Sequence, residues 1–270
     1  MKENEGLLSR REAMKRAMLG AGAVAIGTMG ASATAMAADL SGNPGNLLPS
    51  GTRSLRALSE RLARTPRRRD FKTVPMILTE PDQWDDAALK EVIHYAGGPK
   101  QVWDNTDLAS PWLNLMRNSL NAQVWSFKHP DFLCVSATHG TAHFALYDDY
   151  LWDKYKLSKL TKDKYKENVF IKAPKAAVDD AGKFEDPFGV FSPKDNSIVS
   201  LQARGAVFLA CHNGVFELSY KLHAKGVNPD KLTLPQMVAE FTNHLIPGAV
   251  LTPGIVGTIP ELQEKGFHYA

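Results

Sequence analysis

The sequence predicts an α/β fold: a mainly parallel sheet with helices on both faces, behind an N-terminal helical extension. Three observations carry this. Two apolar runs, at 132–137 and 206–211, read as strands buried on both faces. Each ends in polar residues and gives way to helical periodicity. Strand and helix then alternate to the end of the chain, the pattern of parallel strands with crossover helices.

The leader comes first. Ser9-Arg10-Arg11-Glu12-Ala13-Met14-Lys15 precedes an uncharged apolar run from Ala17 to Met29, and Ala35-Met36-Ala37 forms a cleavage box before Ala38. Residues 1–37 therefore read as a twin-arginine signal peptide, which predicts export of a folded protein to a bacterial periplasm. Ala13 stands where a bulky apolar residue is usual. The run is too short and too rich in Gly and Ala for a good membrane span, so no stable anchor is expected after cleavage.

The chain has 32 Lys/Arg and 29 Asp/Glu, for a net charge of +3. Five of those basic and three of those acidic residues lie in the leader, so the remainder is close to neutral. Such a balance gives no global field for nucleic acid. The 44% hydrophobic content, with no later long apolar run, fits a globular body. The two cysteines, Cys134 and Cys211, could form one disulfide in an oxidising compartment or remain two separate buried thiols.

Residues 38–124 read as a linker and a helical N-terminal extension. Residues 38–51 lack periodicity. Seven arginines fall within 53–69, and Leu55, Leu58 and Leu62 recur at helical spacing. That helix either packs on the body by its leucines or offers its arginines to an anionic partner or lipid surface. Asp82 to Ala96 reads as a helix closed by Gly97-Gly98. Ser110-Pro111 opens another through Trp112, Leu115, Met116 and Leu120.

The second half, 125–270, holds the predicted sheet. After the first strand, Thr141 to Trp152 reads as helical. Residues 153–194 are Lys- and Asp-rich, carry Pro174, Pro187 and Pro193, and read as an inserted surface excursion. A helix through Ile198 and Leu201 stops near Gly205. The second strand follows, then a helix from Val215 to Ala224. Thr233-Leu234-Pro235-Gln236 is a capping-box pattern for a helix burying Met237, Val238 and Phe241. Ala249-Val250-Leu251 reads as a short strand, Ile259 and Leu262 as the next helix, and Phe267-His268-Tyr269 as a last strand. There is no nucleotide-type glycine loop, and no cofactor is expected.

In such sheets ligands bind beyond the carboxyl ends of the strands. Two strand ends here are polar: Thr138-His139-Gly140-Thr141-Ala142-His143 and Cys211-His212-Asn213-Gly214. Each lies where a strand yields to a helix, so backbone N–H groups should converge there. Cys211 falls just before a helix N-terminus, where positive potential favours the nucleophilic thiolate, and His139 or His212 could add to this. The plainer alternative is a small hydrophobe closing a strand. Cys134, inside its strand, fits a packing role. His139 and His143, four apart, could be metal ligands on one helix face, but the commoner outcome is a hydrogen-bonded His139 and a surface His143. Tyr147 to Tyr155 reads as cover for the sheet.

The stretch 201–213, Leu-Gln-Ala-Arg-Gly-Ala-Val-Phe-Leu-Ala-Cys-His-Asn, resembles the DsrE/DsrF-like family of sulfur-relay proteins. So does the ending, Pro247-Gly248-Ala249-Val250 with 259–269, and the 132–137 strand with its following His139-Gly140. The resemblance covers residues 125–270, with 153–194 as an insertion. It implies about five strands, a homo-oligomer, and a strand-end cysteine carrying sulfane sulfur as a persulfide, here Cys211. His139, His212 and Asn213 would polarise or position the sulfur, with Gly140 and Gly214 at the ligand. The expected partner is a small sulfur species or a sulfur-transfer protein. His212-Asn213 and the insertion depart from simple sulfur carriers. Two other classes remain: a periplasmic binding or redox-partner module without covalent chemistry, and a metal site built from His139, His143, His212 and Cys211.

Overall fold

The computed structural model describes residues 47–172 and 182–270. The expected signal peptide, the first part of the linker and the middle of the expected insertion lie outside the described residues. The described residues belong to one compact unit.

The five strands are β1 (Lys100–Asn105), β2 (Leu133–Thr138), β3 (Val207–Cys211), β4 (Val250–Thr252) and β5 (His268–Tyr269). They form one sheet in the order β4-β3-β2-β1-β5, with every pairing parallel. The three apolar runs read from the sequence as strands are thus adjacent, as expected. The register aligns Asn105 with Thr138, Thr138 with Ala210, and Cys211 with Thr252, so the strand ends share one edge.

Side chains alternate between two cores, as the pleat requires. Leu133, Val135, Ala137, Val207, Leu209, Cys211 and Val250 face one core. It is closed by helices α1 (Ser54–Arg64), α2 (Asp86–Ile93) and α9 (Ile255–Glu264). Cys134, Phe208, Ala210 and Leu251 face the other. There α3 (Trp112–Asn121), α4 (Asp149–Lys154), α5 (Leu157–Leu160), α6 (Ile198–Ala203), α7 (His212–Ala224) and α8 (Leu234–Asn243) pack. Each fully buried Leu, Val or Phe contributes about 1.5–3 kcal/mol over leaving it in water. The two cysteines therefore sit on opposite faces of the sheet, each as a free buried thiol.

Sequence and structure part in five places. The extension is not purely helical: residues 100–105 form β1, hydrogen-bonded between β2 and β5, so no boundary falls at residue 125. Only Val102 in β1 is a fully buried apolar residue, and β5 beside it is two exposed residues. The expected 82–96 helix is a short turn, Pro81–Gln83, followed by α2. Asp85 breaks it, because its carboxylate leaves the helix to accept from Arg69 and the Leu251 N–H. Ser110 does not cap α3: Pro111 holds the cap position and the Ser110 hydroxyl donates to Asp107 O.

The expected 141–152 helix is a 3-10 segment, Ala142–Leu146, then α4. Tyr147 between them bridges to Leu245, and the Asp148 side chain caps α4 by accepting from the Leu151 N–H. Last, the 153–194 stretch is more than a surface excursion. Tyr155, Leu157, Ile171 and Phe191 are buried, and Asn168 Nδ2 donates to Ala145 O and Tyr147 O. By contrast, α8 begins as read, with the Thr233–Gln236 capping box in place.

Candidate functional site

The carboxyl edge of the sheet gathers four strand-to-loop junctions, and β3 is central among them. Its last residue, Cys211, is also the N-cap of α7: Sγ accepts from the Gly214 N–H at 3.4 Å. The same sulfur accepts from the Ile255 N–H at 3.4 Å, and Ile255 is the first residue of α9. Two helix N-termini thus point their positive ends at one sulfur atom, an arrangement that stabilises negative charge there. The residue is 4% exposed.

His143 fixes the backbone of this junction. Its Nε2 accepts the Cys211 N–H at 3.0 Å, which leaves the ring proton on Nδ1. The ring is buried, and burial, with His139 nearby, pushes its pKa down to about 3. It is therefore a neutral imidazole at ordinary pH. The expectation of a surface His143 is corrected: the 3-10 geometry of its segment turns the ring into the core. Tyr147 packs 5.1 Å from His143, ring centre to ring centre. Burial, and then the neighbouring Cys211, hold its phenol well above the usual range.

His212, the first residue of α7, is also buried and bonds Met76 O through Nε2 at 3.0 Å. Burial pushes its pKa down, so it too favours the neutral form. Met76 belongs to a strap of residues 65–80 that runs without helix or strand until Pro81. Asn243 holds the strap through both backbone groups of Phe71, at 3.0 and 2.9 Å, and the Val74 N–H donates to Pro235 O. Nδ1 of His143, Nδ1 of His212 and Oη of Tyr147 are all buried without a hydrogen-bond partner.

His139 follows β2 and sits on the same edge. Its Nε2 pairs with Asp104 Oδ1 at 2.6 Å, and Asp104 Oδ2 accepts the Tyr269 hydroxyl at 2.6 Å. Gly140 turns this loop with a φ of +56°, where a Cβ would lie 2.5 Å from Thr106 O. His139 and Gly140 thus belong to the β1 side of the edge. Cys211, His212 and Gly214 belong to the β3 side, with His143, read from the sequence as a metal ligand or a surface residue, and Tyr147, read as cover for the sheet. Asn213 is exposed, and its Nδ2 approaches Gly254 so closely that a Cβ there would lie 2.8 Å away. Beside it a groove of about 830 Å³ runs between α2 and α9, lined in part by Ile77, Trp84, Leu89, Asn213 and Gly254.

Cys134 is completely buried in β2, and burial pushes its thiol up to about 12. Among the described residues no group of three or more His, Cys, Asp or Glu side chains is placed to hold a metal ion. Nor is any described helix long and apolar enough to cross a membrane. No protein-family model matches the chain, and no curated protein or solved structure shows a significant match to it.

Proposed function

We propose that this protein, exported by the twin-arginine route, binds or relays a small sulfur species as a persulfide on Cys211. The observation that carries the reading is the convergence of the Gly214 and Ile255 N–H groups on Sγ, 3.4 Å each. A sulfur anion is the species that two such donors favour. Loading needs a co-reactant at the sulfane level, such as inorganic polysulfide. The Cys211 thiolate attacks a sulfane sulfur, an S–S bond of the polysulfide breaks, and the shortened polysulfide leaves with the electron pair. His143 positions the nucleophile through the Cys211 N–H, and the strap over His212 limits water. Intact-mass spectrometry after polysulfide exposure tests this. Added sulfur that is retained in Cys134→Ser and lost in Cys211→Ser is the expected result; no gain on the wild-type chain sinks the reading.

A second reading, a binding module without covalent chemistry, draws on the groove beside Asn213. It expects a ligand in the groove and no mass gain on Cys211.

A further inference from the structure

The other end of β3 holds a second cavity, of about 320 Å³, where α1, α6 and the loop before β3 meet. Its walls are mostly apolar, with Leu62 and Ala63 from α1, Val199 and Ala203 from α6, and Val207 from β3. Among the described residues Arg67 is the one charged side chain lining it.

The arginine-rich run explains why this charge is available. Of its seven arginines, Arg61 pairs with Glu91, Arg68 with Asp70 and Asp82, and Arg69 with Asp85. Arg67 forms no ion pair among the described residues. Asp85, the acid whose field reaches it, is already held by both Nη atoms of Arg69 and by the Leu251 N–H. Arg67 Nη1 donates to Thr65 O at 2.6 Å, closing the carboxyl end of α1. Its Nε is buried with no partner. Burial lowers the guanidinium pKa, and the field of Asp85, which acts the other way, does not cancel it.

We propose that this cavity binds a small monocarboxylate with an apolar body. A half-buried guanidinium with unused donors costs stability until an acceptor meets it. Its planar fork matches a carboxylate. The apolar walls take an aliphatic or aromatic body, and the volume lies at the lower end of small-ligand sites, about 300–1,000 Å³. A single cation without a second charged group selects one acidic group and rejects amines. The site stands about 13 Å along β3 from Cys211, so it does not rest on the sulfur reading.

Calorimetric titration of the full chain with hexanoate, hexanol and hexylamine tests it. Saturable binding of hexanoate is expected, with none of hexylamine and weaker binding of hexanol. Arg67→Gln should weaken hexanoate by about tenfold or more, and Arg67→Lys, which keeps the charge but not the fork, by less. Ala203→Leu should abolish binding by filling the cavity, with thermal unfolding confirming that each variant is folded. Hexanoate binding that survives Arg67→Gln unchanged overturns the proposal, as does equal binding of hexylamine. Failure of the wild-type chain to bind hexanoate also overturns it, including the case where anionic vesicles bind instead.

Discussion

Replacing His143 with Gln should change how stability responds to acid. Glutamine can still accept the Cys211 N–H, but it has no proton to gain. In the wild type the ring's pKa falls from 6.5 to about 3 on folding, because burial penalises the charged imidazole. Above pH 6.5 both states are neutral there and the residue contributes no pH dependence. Below it the unfolded chain binds a proton that the folded chain refuses, so stability falls with pH. At about pH 4.5 the loss is near 3 kcal/mol, and by pH 3 it approaches about 5 kcal/mol. His212 and the carboxylates change stability too, but they do so in both proteins and cancel in the comparison. Urea unfolding of wild type and His143→Gln at about pH 7 and about pH 4.5 supplies the four free energies needed. The wild type should lose about 3 kcal/mol more than the variant across that interval. Equal losses would mean that the ring takes up protons normally in the fold, and the buried, neutral His143 would have to be abandoned.

Three further outcomes follow from the same geometry. In folded Cys211→Ser, the remaining Cys134 should resist iodoacetamide until urea unfolds it, since it is fully buried with its thiol held near 12; in folded Cys134→Ser, Cys211 should react. Asn243→Ala removes two hydrogen bonds from the strap, each worth about 1 kcal/mol net. It should speed alkylation of Cys211 about thirtyfold while leaving Cys134 silent, and an unchanged rate would show that the strap does not gate the thiol. Gly140→Ala puts a Cβ against Thr106 O at a left-handed φ, so unfolding experiments should find a loss of about 2 kcal/mol or more.

What was legible in the sequence was what local pattern encodes. β2, β3 and β4 were visible because strands buried on both faces are continuous apolar runs. The start of α8 was visible because its capping box is a four-residue signal. β1 was hidden because it carries Lys100, Gln101 and Asp104, which its place near the sheet edge permits, and Asn105, which is buried but donates to the Ser136 hydroxyl. The helix break at Tyr147 was hidden because it comes from a long-range bridge to Leu245.

The site divides in the same way. Cys211 and Gly214 stood out as a strand-to-helix junction, and their hydrogen bond is local. His143 meets Cys211 across 68 residues of sequence, and Met76 meets His212 across 136, so no spacing rule could pair them. The Asp104 partner of His139 was invisible for a related reason: Asp104 lies in the strand whose own pattern was weak.

Sulfur loading of Cys211 is tested most directly by peptide-level mass spectrometry. The full chain would be exposed to polysulfide in the folded state, trapped by alkylation and digested. Sulfur should be added to the peptide bearing Cys211 and not at Cys134, with less loading when Gly214→Pro removes one of the two N–H donors. Loading at Cys134, or a Cys211 peptide that carries no added sulfur, would contradict the sulfur reading.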